Sequence, residues 1–188
     1  MSTLEALVMR CTIRWTAIIL LASLVTGCGQ ESGPNERSAA PTPVPIAPSH
    51  KSVPPEISAR DWLNVDEPQS LAALKGNVVL VEFWATWCGP CVKGIPHMND
   101  MHAKYTPEGL RIVSLTQENR STVEKFQNRA RSPIEYPIGV GSSSSREYAV
   151  RGIPHAVVIS RDGQIAWKGH PIDPACEHAV KKALATPL

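Results

Sequence analysis

Cys88 and Cys91 stand in the stretch "WATWCGPC", separated by Gly89 and Pro90 and set directly behind the apolar run "NVVLVEF". Two thiols at this spacing suit three chemistries: a dithiol–disulfide redox couple, half of a zinc site, or a short structural staple. A strand that ends and passes straight into a helix puts the first sulfur at the helix N-terminus. The unpaired N–H groups and the dipole there favour an anion, so Cys88 is expected to be the exposed, low-pKa nucleophile. Cys91 falls one turn further on, more buried, within reach to attack a mixed disulfide at Cys88. Pro90 suits a first helical turn, and Gly89 lets the backbone of a binding segment come close. An attacking thiol and a resolving thiol are what disulfide exchange needs.

The other two readings ask for more than the chain offers. One CxxC gives two of the four ligands of a structural zinc site. Cys11 and Cys28 lie near the N-terminus, and Cys176 stands alone with His178 two residues later. His97 reaches the pair only by bending back around the helix. No metal and no cofactor are therefore expected. A staple closing so short a loop removes little unfolded-state entropy, so it stabilises a fold poorly.

Both sulfurs depend on the elements around them. Residues 78–84, "VVLVEFW", form a continuous valine-rich apolar run, the mark of a strand buried on both faces. A helix is predicted from about Cys88 to Tyr105, with Val92, Ile95, Met98 and His102 or Tyr105 on one face and a kink at Pro96. "PQSLAALKG" predicts a short helix, with Pro68 in its first turn and Gly76 as its stop. "LRIVSLT" is a second buried strand. "STVEKFQNRA" predicts a helix with Ser121 as N-cap and Glu124 completing a capping box. "HAVVIS" and "QIAWKG", joined by Arg161-Asp162-Gly163, predict a hairpin. "DPACEHAVKKALA" closes the chain as a helix capped by Asp173. Parallel strands linked by helices, then a hairpin and a helix, imply an α/β fold with a mixed central sheet flanked by helices.

The chain has 188 residues and a formal net charge of +2, without any Lys/Arg run, so nucleic acid is not an expected partner. Residues 15–25, "WTAIILLASLV", follow Arg10 and Arg14 and end in "TGCG". A positive flank, a short apolar core and small residues make a secretory signal, too short to cross a bilayer, which takes about 20 residues. Val25-Thr26-Gly27-Cys28 resembles the bacterial lipobox, which implies lipidation of Cys28 and anchorage to a membrane. The alternative is an ordinary cleaved signal with a chance cysteine. From 29 to 55 proline, serine and alanine dominate, as in an extended, flexible tether. The expected organisation is a lipoprotein signal peptide at 1–28, the tether at 29–55 and one domain at 56–188.

"VVLVEFWATWCGPC" together with "RGIPHAVVISRDGQIAWKGH" resembles the thioredoxin superfamily, and within it the membrane-anchored thioredoxin-like disulfide reductases of the TlpA and ResA type. Pro154 follows Cys91 by 63 positions, longer than in plain thioredoxin by about one helix and strand. The TlpA type carries an insert at that place. The resemblance implies a Cys88–Cys91 redox disulfide. It also implies a cis-proline at Pro154 packed beside Cys88, with the Ile153 backbone pairing to an extended substrate segment and Trp87 as a docking platform. Trp84 is expected to point into the fold. With the Gly-Pro dipeptide it implies a reductant nearer the thioredoxin potential of about −270 mV than strong oxidants near about −120 mV. Clients would be cysteine-containing envelope proteins, either apocytochrome c through its haem-site cysteines or other envelope proteins with oxidised cysteines, and a membrane electron donor would recharge the pair. The localisation implied is the bacterial cell envelope, with the domain facing the periplasm or exterior. A disulfide oxidase or isomerase of the same fold, and a copper-delivery module, are the rival readings.

Glu82 is the unusual residue of the buried run. A carboxyl there is costly if charged and unpaired, so its pKa is expected to rise. Plain thioredoxin has an aspartate at the matching place, which makes Glu82 the candidate general acid/base for Cys91. The bland alternative is a glutamate reaching solvent from the strand's end. Glu118 is read as a solvated loop residue, although some ResA-type proteins place an acid near the active site. His155 and His170 are expected on the rim of the same groove, and Cys176 as a small buried apolar residue.

Overall fold

The computed structural model describes residues 52–187. The expected signal peptide at 1–28, with Cys28, and most of the expected tether at 29–55 lie outside the described residues.

The valine-rich run forms β2 (Val78–Phe83), with every residue buried. It is the axis of a six-stranded mixed sheet in the order β1-β4-β3-β2-β5-β6. On one side of β2 lies β3 (Leu110–Leu115), parallel, and beyond it β4 (Ile138–Val140), also parallel. β1 (Asp61–Leu63) closes that edge antiparallel to β4. On the other side β5 (His155–Ile159) and β6 (Ile165–Gly169) run antiparallel as the expected hairpin. Ser160 N–H donates to Gln164 O across the hairpin mouth at 2.9 Å, and Gly163 takes a positive φ of 78°, which glycine adopts without steric cost.

α1 (Gly89–Tyr105) follows β2, a 3₁₀ turn (Thr106–Glu108) leads into β3, and α2 (Arg120–Arg129) follows β3. A single turn, α3 (Ser144–Glu147), follows β4, and α4 (Pro174–Ala185) ends the domain. α4 begins as its sequence dictates: the Asp173 side chain accepts from Ala175 N–H at 2.8 Å and Pro174 occupies the first turn. Buried residues of α1, α2 and α4 share one cluster with Val78, Leu80, Leu110 and Ile112. The opposite face of the sheet, with Val79, Val81, Val113 and Val157, is covered by Ile57, Leu74 and Tyr148. Each fully buried Val, Ile or Leu contributes roughly 1.5–3 kcal/mol relative to leaving it in water.

Four details differ from the sequence expectations. Residues 71–76 wind as turns rather than a helix. Leu74 N–H reaches Ser70 O, the next bonds shorten to three-residue spacing, and Gly76 then reverses the chain at φ 87°. A stretch this short cannot repay helix nucleation. The N-cap of α2 is Asn119, whose side chain accepts from Thr122 N–H at 3.0 Å; Glu124 pairs with Arg120 at 2.9 Å instead of closing a capping box. On α1, Ile95, Met98 and Tyr105 are buried as expected, but Cys91, Asn99 and Met101 are buried with them, and Val92 and His102 are only half-buried. Pro96, where a kink is expected, lies inside this helix. Finally, β1, β4 and α3 carry no signal strong enough to predict.

Candidate active site

Cys88 is the N-cap of α1 and bonds to Cys91 as a disulfide with Cα atoms 5.2 Å apart. The Cys88 sulfur also accepts from the Cys91 amide at 3.3 Å. That sulfur therefore sits where the first amides of a 17-residue helix point, the place at which a thiolate gains most from the helix dipole. One expectation needs correcting: Cys88 is only 5% exposed, against 1% for Cys91. The order of accessibility holds, but access to Cys88, at the end of the loop that joins β2 to α1, is narrow.

What that loop exposes is its neighbours. Trp87 is 74% open to solvent, and Gly89 and Pro90 are exposed beside it. Trp84, four residues from Cys88, points inward and packs on Phe126 with ring centroids 5.5 Å apart. A cleft of about 290 Å³ opens next to the pair, with Trp84, Trp87, Glu118, Arg151, Gly152 and Ile153 among its lining residues. The Ile153–Pro154 peptide bond is cis, and Ile153 packs against the cluster that contains both cysteines. The loop that leads into β5 thus brings Ile153, more than sixty positions along the chain, to the wall of the same cleft.

Glu118 is no free loop carboxylate. It accepts from Thr86 N–H and from Thr86 Oγ1, both at 2.7 Å, and from Thr116 Oγ1 at 3.3 Å. It clamps the loop two residues ahead of Cys88 to the end of β3. Charge-assisted bonds of this kind are about twice as strong as neutral ones, so the clamp holds the loop's shape. Sequence alone offered only the resemblance to ResA-type proteins as a signal for it.

Glu82 does not reach solvent: it is 2% exposed. Strand alternation places it on the Leu80 face, the one shared with Cys91, α1 and α4. Burial pushes its carboxyl up to about 7, and among the described residues the hydrogen bond acting against this comes from the Tyr136 hydroxyl at 3.0 Å. Tyr136 was not singled out by sequence reasoning, since its partner lies 54 positions away and nothing local marks it. Ser114, opposite Glu82 in register on β3, is also buried, and its hydroxyl has no partner among the described residues. Cys176 is a buried free cysteine whose thiol burial, and then the Glu82 charge, push up to about 12.

His155 begins β5 opposite Phe83, half-buried; burial, with some help from Lys168, holds it below the usual histidine value. His170 is exposed in the loop before α4, where its ring accepts from Ile172 N–H at 3.4 Å. Neither lines the cleft. Among the described residues no three His, Cys, Asp or Glu side chains gather as a metal site. The arrangement is suited to thiol–disulfide exchange: a helix-capping sulfur, a second sulfur behind it, a cleft beside them and a buried carboxyl on the inner side.

A sequence model of the AhpC/TSA family matches residues 53–168. The chain is 34% identical over 96 residues to the thiol-disulfide oxidoreductase ResA of Bacillus anthracis, covering 50% of this chain and 56% of that protein. The match therefore spans little more than half of that relative. Among solved structures, a thioredoxin-like superfamily protein aligns with a TM-score of 0.64 at 22% identity, over 71% of this chain and 97% of that one. A thiol:disulfide interchange protein of the thioredoxin family from Chlorobium tepidum TLS aligns with a TM-score of 0.60 at 25% identity, over 74% of this chain and 100% of that one. With a thioredoxin-like fold and a family match across most of its length, the chain belongs to the AhpC/TSA family.

Proposed function

We propose that this protein is an extracytoplasmic thiol–disulfide oxidoreductase that reduces disulfides of other envelope proteins through Cys88 and Cys91. The observation that carries this reading is the bonded cysteine pair at the start of α1, next to an exposed tryptophan and an open cleft. In the reduced protein the Cys88 thiolate attacks one sulfur of a client disulfide. A mixed disulfide forms and the first client sulfur leaves as thiolate. Cys91 then gives its proton to the Glu82 carboxylate, attacks the Cys88 sulfur and expels the second client thiolate. Two electrons have passed to the client, and the Cys88–Cys91 disulfide of the structure is the product.

Trp87, Gly89, Pro90 and Ile153 border the approach to Cys88 and are the surface on which a client segment docks. Helix α2 and strand β4 occupy the stretch between the cysteines and Pro154, which supports reading it as the TlpA-type insert. In the same reading Cys28 carries a lipid anchor at the head of the tether, a membrane electron donor recharges the pair, and apocytochrome c is one candidate client; the lipobox-like Val25–Cys28 stretch and the TlpA/ResA-type resemblance of the sequence support it.

The decisive experiment changes Cys91 to Ala in the full chain expressed in a bacterial envelope. Clients then remain bonded to Cys88 and are identified by mass spectrometry after non-reducing purification. Envelope proteins trapped through their own cysteines, and absent when Cys88 is also changed to Ser, support the reading. An empty trap overturns it. The potential of the pair tests the direction of electron flow: a value close to about −270 mV fits a reductant, and one near about −120 mV reverses the assignment.

A further inference from the structure

If Cys91 resolves the mixed disulfide, its proton must go to a group inside the protein, because its residue is closed to solvent. Glu82 is that group in the function proposed above, so any role for its neighbours rests on that reading. A carboxylate in an apolar site is useful only if something fixes where its oxygens point. Among the described residues the side chain bonded to it is Tyr136, itself fully buried, donating at 3.0 Å.

The backbone that delivers this hydroxyl is irregular, yet it is tied down from three directions. Asn64, beyond β1, donates to Ile134 O at 2.7 Å and to Tyr136 O at 3.1 Å. Asn99 of α1 donates to Pro133 O at 2.8 Å and accepts from Glu135 N–H at 3.2 Å. Gln127 of α2 donates to Ile134 O at 3.0 Å and accepts from Ile134 N–H at 2.9 Å. His102 of α1 lies against the Tyr136 ring, with centroids 5.8 Å apart. Three amide side chains spent on four successive residues make a rigid mount for one hydroxyl, the arrangement by which a supporting shell holds a functional group in place.

We propose that Tyr136 is a positioning residue for the thiol chemistry, its hydroxyl holding the Glu82 carboxylate on the face shared with Cys91. When Cys91 resolves, its S–H bond breaks and the proton joins a Glu82 oxygen. The electron pair left on sulfur forms the new bond to Cys88 as the bond from Cys88 to the client breaks. Tyr136 keeps its own proton throughout; burial and the Glu82 charge place its ionisation well above the ordinary value. The hydroxyl also favours the charged form of Glu82, partly offsetting burial, so its removal raises the affinity of Glu82 for protons.

The other titratable groups on this side are few. Cys176 of α4 stays protonated across the neutral range. His102, held below the usual value chiefly by burial, touches the Tyr136 ring. Tyr105 of α1 turns its hydroxyl to Glu177.

The test mixes the reduced protein with 5,5′-dithiobis(2-nitrobenzoate) in a stopped-flow instrument between pH 6 and 9. The first burst of coloured thiol reports attack by Cys88 and the second reports resolution by Cys91. Tyr136→Phe, which keeps the ring, is expected to move the pH midpoint of the second phase up by about one unit and slow it about fivefold at pH 7. In a Glu82→Gln background the same change adds nothing. A midpoint that stays put, or an equal loss in both backgrounds, overturns the proposal. If Glu82→Gln alone leaves the second phase unchanged, the assignment of Glu82 falls and this inference with it. Titration of the Glu82 carboxyl by ¹³C NMR in the oxidised protein reads the effect without kinetics: Tyr136→Phe shifts it upward, and an unshifted carboxyl overturns the proposal even where catalysis is impaired by packing.

Discussion

Successive residues of β2 serve different ends on the two sides of the sheet. Toward the helices, Leu80 and Glu82 share a face with Cys91, Ser114, Tyr136 and Cys176. Away from them, Val79, Val81 and Phe83 join Val113, Leu115, Val157 and Ile159 in a cluster of hydrocarbon and the Tyr148 ring, which lies 5.3 Å from Phe83. The second face holds the sheet together, and its Phe83 and Leu115 also line the cleft. The first gives up part of that holding power to keep an ionisable carboxyl out of water, since an acid buried among apolar groups is destabilising once charged. A strand can carry both roles because its side chains alternate, and each face can be altered without touching the other.

That separation can be broken from either side. Ile159→Ala, on the apolar face, is expected to cost about 2–5 kcal/mol by urea denaturation while leaving the pH dependence of stability unchanged. A changed pH slope would mean that the two faces communicate. Glu82→Gln acts in the opposite sense. The folded protein holds the Glu82 proton up to about pH 7, whereas the unfolded chain releases it near 4.5. Between those values the native state binds more protons, so stability falls as pH rises. This group alone should remove about 3 kcal/mol across the window, and Glu82→Gln should lack that part of the slope. Comparing the two oxidised proteins by denaturation from pH 4.5 to 7.5 isolates the effect.

Smaller effects sharpen the contrast. Trp87→Ala, at a side chain mostly in solvent, should change stability by no more than about 0.5 kcal/mol. Its reduction of a protein disulfide should weaken through KM, while a small aromatic disulfide is handled as before. Cys176, buried and protonated, should resist alkylation in the native protein at pH 8 for as long as the fold stays closed. Mass spectrometry after iodoacetamide treatment of the oxidised protein should find it labelled only in denaturant.

Much of this could be read from residue types. The valine-rich apolar run at 78–84 identifies β2, CxxC behind it gives the thiol chemistry, and Asp173-Pro174 marks the start of α4. β1 and β4 escaped because three residues hold no period to detect, and they exist only by pairing with each other and with β3. Asn119 and Ser121 are both good helix caps, so only the tertiary fold decides between them. Tyr136 and Glu118 were hidden for a different reason. Each matters through a bond to a residue more than thirty positions away, and a local pattern carries no information about that partner.

Gly89 has no atom within 4 Å of where a Cβ would stand. Alanine, or something far bulkier, could occupy that place and displace nothing in the domain. Diversity at this one site would then be invisible to folding yet felt by every molecule that arrives from outside, which makes it a natural dial for retuning choice of substrate on an unaltered scaffold.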